Sequence, residues 1–161
     1  MRIQTILNRV EKFKSFVYRE AGLEKHDDGL ALVVQIAPRK NNRPSCSGCG
    51  RRGRPYDRLE ERRFEFVPIW GILVFLAYRM RRVDCKQCGV TVEMVPWCDG
   101  KNQLTTTYRW YLATWAKRLS WSEVGAIFRT SWDSVRRAVE HAVEWGLAHR
   151  DVSEVTALGV D

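Results

Sequence analysis

The stretch "SCSGCGRRGRP", residues 45–55, sets Cys46 and Cys49 one turn apart and runs directly into Arg51, Arg52 and Arg54. Two thiols at that spacing suit a redox pair, half of a metal site or ordinary buried packing. A second stretch, "DCKQCGV" at 84–90, repeats the spacing with Cys85 and Cys88, and each pair is followed by a glycine, Gly50 and Gly89. A redox site needs a single pair, usually opening a helix, and neither pair here precedes a helical pattern. Zinc takes four soft thiolates in a tetrahedron, and a Cys-x-x-Cys turn supplies two of them from one tight knuckle. The following glycine lets the backbone turn so that N–H groups can face the sulfurs. Cys46, Cys49, Cys85 and Cys88 are therefore read as ligands of one structural zinc with no position open for water. Cys98, in "PWCDG", fits neither knuckle and is read as a lone thiol.

The two pairs stand 35 residues apart, so structure must fill the interval. "RRFEFVP" at 62–68 alternates and is aromatic, "ILVFLAYRMRRV" at 72–83 is β-branched and aromatic, and Pro68 to Gly71 is a natural break between them. A hairpin would thus return the second knuckle to the first, the zinc-ribbon arrangement. "LALVVQIA" at 30–37 reads as a strand leading into the first knuckle. Upstream, Ile3, Ile6, Leu7, Val10, Phe13 and Val17 suggest one amphipathic helix over 3–22, packing on the ribbon or on a second copy of the chain in a homodimer.

After residue 103 the period becomes helical. Thr105 or Thr106 can cap a helix with Tyr108, Tyr111, Leu112, Trp115 and Leu119 on one face. "SWSE" at 120–123 is a capping box for a short helix facing Val124, Ile127 and Phe128 inward. Ser131 caps a third helix, with Val135, Val139, Ala142 and Val143 inward and Asp133, Ser134, Arg136, Arg137, Glu140 and His141 outward. Three helices with a brief turn before the last read as a helix-turn-helix, whose last helix enters the DNA major groove. The alternative is a packing unit with a solvated charged face.

Charge location separates the partner classes. The net charge of +8 comes almost wholly from 38–98, with 13 Lys/Arg against 6 Asp/Glu; 1–37 carries 6 against 5, and 99–161 carries 8 against 8. Arg39, Lys40, Arg43, Arg51, Arg52, Arg54 and Arg58 meet only Asp57, so a basic patch surrounds the cysteines, as expected of a polyanion binder. The longest apolar stretch, 66–78, is interrupted by Pro68 and Gly71 and is shorter than the ~20 residues a bilayer requires, which excludes a membrane helix. The N-terminus has charges every few residues and no signal-peptide h-region, so the expected compartment is the cytoplasm.

The fold class expected is α+β: an N-terminal helical segment (1–29), a small β zinc-ribbon domain (30–99), an all-α three-helix helix-turn-helix (103–147), and a linker with a terminal strand (148–161). This order, with the paired Cys-x-x-Cys-Gly ribbon, "RRVDCKQCGVT", "SWDSVRRAVE" and "LGVD", resembles the N-terminal half of bacterial insertion-sequence transposases of the ISL-three family, over roughly residues 30–161. The resemblance implies that ribbon and helices bind terminal inverted repeats of double-stranded DNA at the bacterial nucleoid. It also implies that a ribonuclease-H-like domain with an Asp, Asp, Glu triad follows. Asp161 matches the first carboxylate, and the chain stops there, so it is expected to bind DNA without cutting it. Mg²⁺ would serve only a full-length parent of the DDE type. Rival readings are a zinc-containing helix-turn-helix transcriptional regulator and a ribbon that docks an acidic protein.

Overall fold

A computed structural model describes residues 2–27 and 29–151, which form two compact units divided after Tyr108. The first is organised by a strand that is apolar on both faces. In "ILVFLAYRMRRVDC", Val74 through Tyr78 are all buried, so this strand, β4 (Ile72–Cys85), needs cover on both sides and takes an interior place in a sheet. The sheet is mixed. Beside α1 (Ile3–Val10), its strands are β1 (Phe16–His26), β2 (Gly29–Pro38), β3 (Arg54–Ile69), β4 and β5 (Gly89–Val92). Their order is β1-β2-β4-β3, with β5 also paired to β4. β3 runs antiparallel to β4 along its length, from Arg54 opposite Asp84 to Ile69 opposite Ile72. The other edge of β4 is shared: Leu73 to Ala77 lie parallel to β2, and Arg82 to Cys85 lie antiparallel to β5.

That shared edge carries both knuckles to the same place. The first lies between β2 and β3 and the second in the β4–β5 turn, where Cys85 pairs with Gly89. The main core covers one face of the sheet around Trp97, 1% exposed, whose indole meets the rings of Phe13, Phe16, Phe64 and Tyr78 at 5.2, 4.9, 6.0 and 5.4 Å. Leu7 of α1 joins the same core. On the opposite face a smaller cluster of Ala31, Val33, Phe75 and Ala77 is buried, with the His26 ring 5.0 Å from Phe75.

The second unit contains most of α2 (Thr106–Trp115), then α3 (Trp121–Phe128) and α4 (Trp132–Ala148). Its caps are those the sequence indicates: Ser120 and Glu123 form a reciprocal capping box, and Ser131 accepts from the Ser134 N–H. Thr105 Oγ1 likewise accepts from the Tyr108 N–H at 3.3 Å. Gly125 of α3 lies against the turn that leads into α4; a Cβ there would sit 2.8 Å from the Thr130 carbonyl oxygen and 3.4 Å from the Trp132 nitrogen. Within this unit Tyr111 of α2 reaches Phe128 at 5.2 Å, and Trp110 reaches Trp145 at 5.5 Å, both through rings.

The expected fold class is corrected on three counts. A small ribbon does not stand alone: its strands belong to one mixed five-stranded sheet, because β4 is apolar on both faces and takes β2 in parallel. The N-terminal helix ends at Val10 and 16–26 is strand; Phe16 and Tyr18 are buried at every second position, a period the helical reading of Phe13 and Val17 overlooked. Nor is there an all-α three-helix helix-turn-helix domain. The boundary between units falls inside α2, and close backbone packing between helices is that of α3 with α4. Ile127 and Val143, assigned inward, are 59% and 54% exposed. The anticipated strand near the C-terminus and Asp161 lie outside the described residues. Among the described residues no helix is long and apolar enough to cross a membrane.

Candidate metal centre and nucleic-acid interface

The four cysteines expected as ligands come together. Their sulfurs all lie within 4.8 Å of one another, with Cys49 Sγ 3.5 Å from Cys85 Sγ, close to the ~3.8 Å edge of a tetrahedral thiolate site. The turns hold this arrangement locally. Gly50 and Gly89 have φ of 71° and 73°, a left-handed conformation that glycine adopts without a Cβ penalty. The Gly48 N–H points at Cys46 Sγ at 3.4 Å, and the Gly50 N–H closes the turn on the Cys46 carbonyl at 2.8 Å.

The donor set is all sulfur and could hold one metal ion. Gathering four thiols opposes their joint ionisation unless a cation neutralises them. Hydrogen bonding with Thr91, whose Oγ1 lies 3.1 Å from the sulfur, is the largest cause lowering the Cys46 thiol to about 6. Cys88, hydrogen-bonded to Cys49 and crowded by Cys46, is pushed up to about 12. A cation supplies the missing compensation and displaces the protons. Cys98 takes no place in the cluster; its thiol donates to the Asn102 carbonyl at 2.8 Å.

Behind the first knuckle lies a buried ion pair that sequence reasoning missed. Glu93, its side chain fully buried, accepts from Arg81 Nε and a terminal guanidinium nitrogen at 3.0 and 2.6 Å, from the Arg81 N–H at 2.7 Å, and from the Tyr78 hydroxyl at 2.5 Å. Arg81 also donates to the Asn42 carbonyl at 2.9 Å. The backbone continues the tie: Cys46 bridges Glu93, and the Met94 N–H donates to the Ser45 carbonyl at 2.8 Å. Burial together with the Glu93 carboxylate pushes the Tyr78 hydroxyl well above the usual phenol range. The pair thus fixes Glu93, and through its backbone bridge the Cys46 segment, to β4. The sequence places "YRMRRV" at the end of the strand over 72–83, and nothing in it marks a carboxylate twelve residues away.

The basic patch divides into used and free cations. Arg39 is partly committed to structure, donating to the Lys14 carbonyl at 3.0 Å. Lys40, Arg43, Arg51, Arg52, Arg54 and Arg58 are exposed, and none has a side-chain hydrogen bond or ion pair among the described residues. Arg82, by contrast, is paired in a fork with Asp57. In α4 every charged residue assigned to bases is engaged within the helix: Arg136 with Asp133 at 2.8 Å and with Glu140, and Arg137 with Asp133 at 2.8 Å. Ser134 hydrogen-bonds Ser131 at the cap. Arg136 holds the Asp133 carboxyl below the usual carboxylate range.

No protein-family model matches the chain, and no solved structure matches it. Two curated relatives are similar. Both are described as the transposase for insertion sequence element IS1557, from Mycobacterium tuberculosis strains CDC 1551 / Oshkosh and ATCC 25618 / H37Rv. Each is 29% identical over 141 aligned residues, covering 79% of this chain and 32% of the relative. The chain is related to transposases. It spans about a third of the length of these transposases.

Proposed function

We propose that this chain is the DNA-binding portion of an insertion-sequence transposase of the ISL-three family, recognising terminal inverted repeats for DNA transposition. The observation that carries the reading is the set of unpaired cations around the four-cysteine cluster, in a chain related to transposases. Zinc suits the cluster, because a closed tetrahedron of thiolates leaves a structural rather than catalytic ion. Arg39, Lys40, Arg43, Arg51, Arg52, Arg54 and Arg58 lie on phosphates and set position; the first turns of α4, with Asp133, Ser134, Arg136, Arg137 and Glu140, face base edges. In the full-length parent, a DDE-type transposase, Asp161 is the first of the carboxylates that hold Mg²⁺. The test is a mobility shift with inverted-repeat ends and random duplex of equal length, titrated with salt. Preference for the repeats with a steep salt dependence is expected; absence of binding to either duplex would overturn the reading.

A further inference from the structure

A cleft of about 550 Å³ opens between the two cysteine turns. One wall is the segment around the first turn, with Arg43, Arg51, Arg52 and Arg54; the other is the second turn itself, with Lys86 and Gln87. Five cations therefore face one acid, Asp84. None of the five has an ion pair or side-chain hydrogen bond among the described residues, although a carboxylate lies close by in sequence and is taken by Arg82. Like charges gathered in a concave site raise the local potential and favour a counter-anion.

The backbone is built for this convergence. The Cys46 N–H donates to the Arg51 carbonyl at 2.8 Å and the Gly53 N–H to the Pro44 carbonyl at 3.0 Å, so the arginine segment is strapped onto the knuckle. Gly53 lets that segment lie directly on β4: a Cβ there would stand 2.5 Å from Val83 Cγ1 and 2.8 Å from the Asp84 carbonyl oxygen. Both walls are thus anchored to cysteine turns. A metal bound by the four cysteines would hold those two turns together.

We propose that this cleft is a phosphodiester site, in which Arg52, Arg54 and Lys86 from opposite walls clasp the oxygens of one backbone phosphate. It rests on the DNA-binding reading above and adds to it Lys86, from the second turn, and a defined seat. Guanidinium forks match phosphate oxygens in pairs, and the lysine adds a compact charge from the far wall.

The test uses the full chain with its metal and compares wild type, Lys86→Glu and Lys117→Glu, the last a charge reversal on the second unit. Binding of random duplex is measured against salt, and inorganic phosphate is titrated while the backbone amides of residues 84–88 are followed by NMR. Lys86→Glu should weaken duplex binding about tenfold at low salt and lower the salt slope by about one, with Lys117→Glu much nearer wild type. Duplex and phosphate should move the same amides. Equal losses for the two variants would show a net-charge effect and overturn the proposal. Phosphate shifts without any loss of duplex binding in Lys86→Glu would make the cleft a free-phosphate site and overturn it too. Wild type that binds no duplex at all would overturn the DNA-binding reading, and this proposal with it.

Discussion

Arginines 51, 52 and 54 and arginines 136 and 137 have the same chemistry and opposite circumstances. The first group sits on a segment almost without acids and keeps its guanidinium groups free; the second sits on a helix with Asp133 and Glu140 at the three- and four-residue spacings that bring side chains together. A free guanidinium binds whatever phosphate arrives, which suits positioning without regard to sequence. A paired one must exchange its carboxylate for a base edge, so it engages only where the new bonds are better. The exchange is feasible because exposed pairs of this kind are weak in water, whereas a good bidentate contact to a base is worth roughly 1–3 kcal/mol. On the DNA-binding reading proposed above, pairing within α4 would act as a filter on binding.

The largest effect should come from breaking the four-cysteine cluster beside the free group. Cys85→Ser is expected to lose the bound metal and to disorder the two turns, read by metal analysis and circular dichroism, whereas Cys98→Ser, whose thiol lies outside the cluster and donates to the Asn102 carbonyl, should keep it. Loss of metal in Cys98→Ser alone would show that the ligand set is wrong.

Next in size is the support behind the first turn. Glu93→Gln leaves the buried Arg81 guanidinium without its counter-charge, which costs about 3–5 kcal/mol in comparable buried pairs. Thermal melting should show this loss together with weakened metal retention, since Glu93 and Met94, directly after β5, are tied to Cys46 and Ser45. A variant that melts like wild type would mean the pair does not carry the knuckle.

How much of this could be read beforehand depended on whether the controlling contact was local. The cysteine turns, their glycines, the strands from 30 and 72 and the caps at Ser120 and Ser131 are all local patterns, and they stand where the sequence indicates. The parallel pairing of β2 with β4 has no local signature: consecutive strands with short breaks suggest a meander, and only the apolar character of β4 on both faces asks for a partner on each edge. Strand β1 was hidden because Phe13 and Val17 continue the helical spacing of α1, while the buried set is Phe13, Phe16 and Tyr18 around Trp97. Gly125 is a poor helix former by intrinsic propensity, and only its contact with the Thr130 carbonyl and the start of α4 explains its place. The Arg81–Glu93 pair and the cleft facing Lys86 join residues distant in the chain, and no spacing announces them.

A smaller effect sharpens the comparison from the helical side. Asp133→Asn frees Arg136 and Arg137 in part, so affinity for random duplex should rise a few-fold while preference for the repeats falls, with stability changed little at this exposed site. The pH dependence has a definite sign. Because Arg136 depresses the Asp133 carboxyl, the pairs persist above the usual carboxylate range and their contribution is lost only as pH falls through the lowered value. With the helix's own imidazoles removed in a His141→Gln/His149→Gln background, specific binding should accordingly show no step between pH 7 and 5, as measured by anisotropy; a step there would mean that Asp133 is not the group holding the arginines.

The most direct measurement sets the two groups side by side. Salt slopes and affinities are determined on inverted-repeat and random duplex for Arg51→Ala/Arg52→Ala/Arg54→Ala and for Arg136→Ala/Arg137→Ala. The first variant should lose affinity equally on both duplexes, its slope falling by about one for each lost phosphate contact. The second should lose roughly 1–3 kcal/mol on the repeat and little on random DNA. Equal losses on both duplexes for both variants would contradict the division between free arginines that position and paired arginines that discriminate.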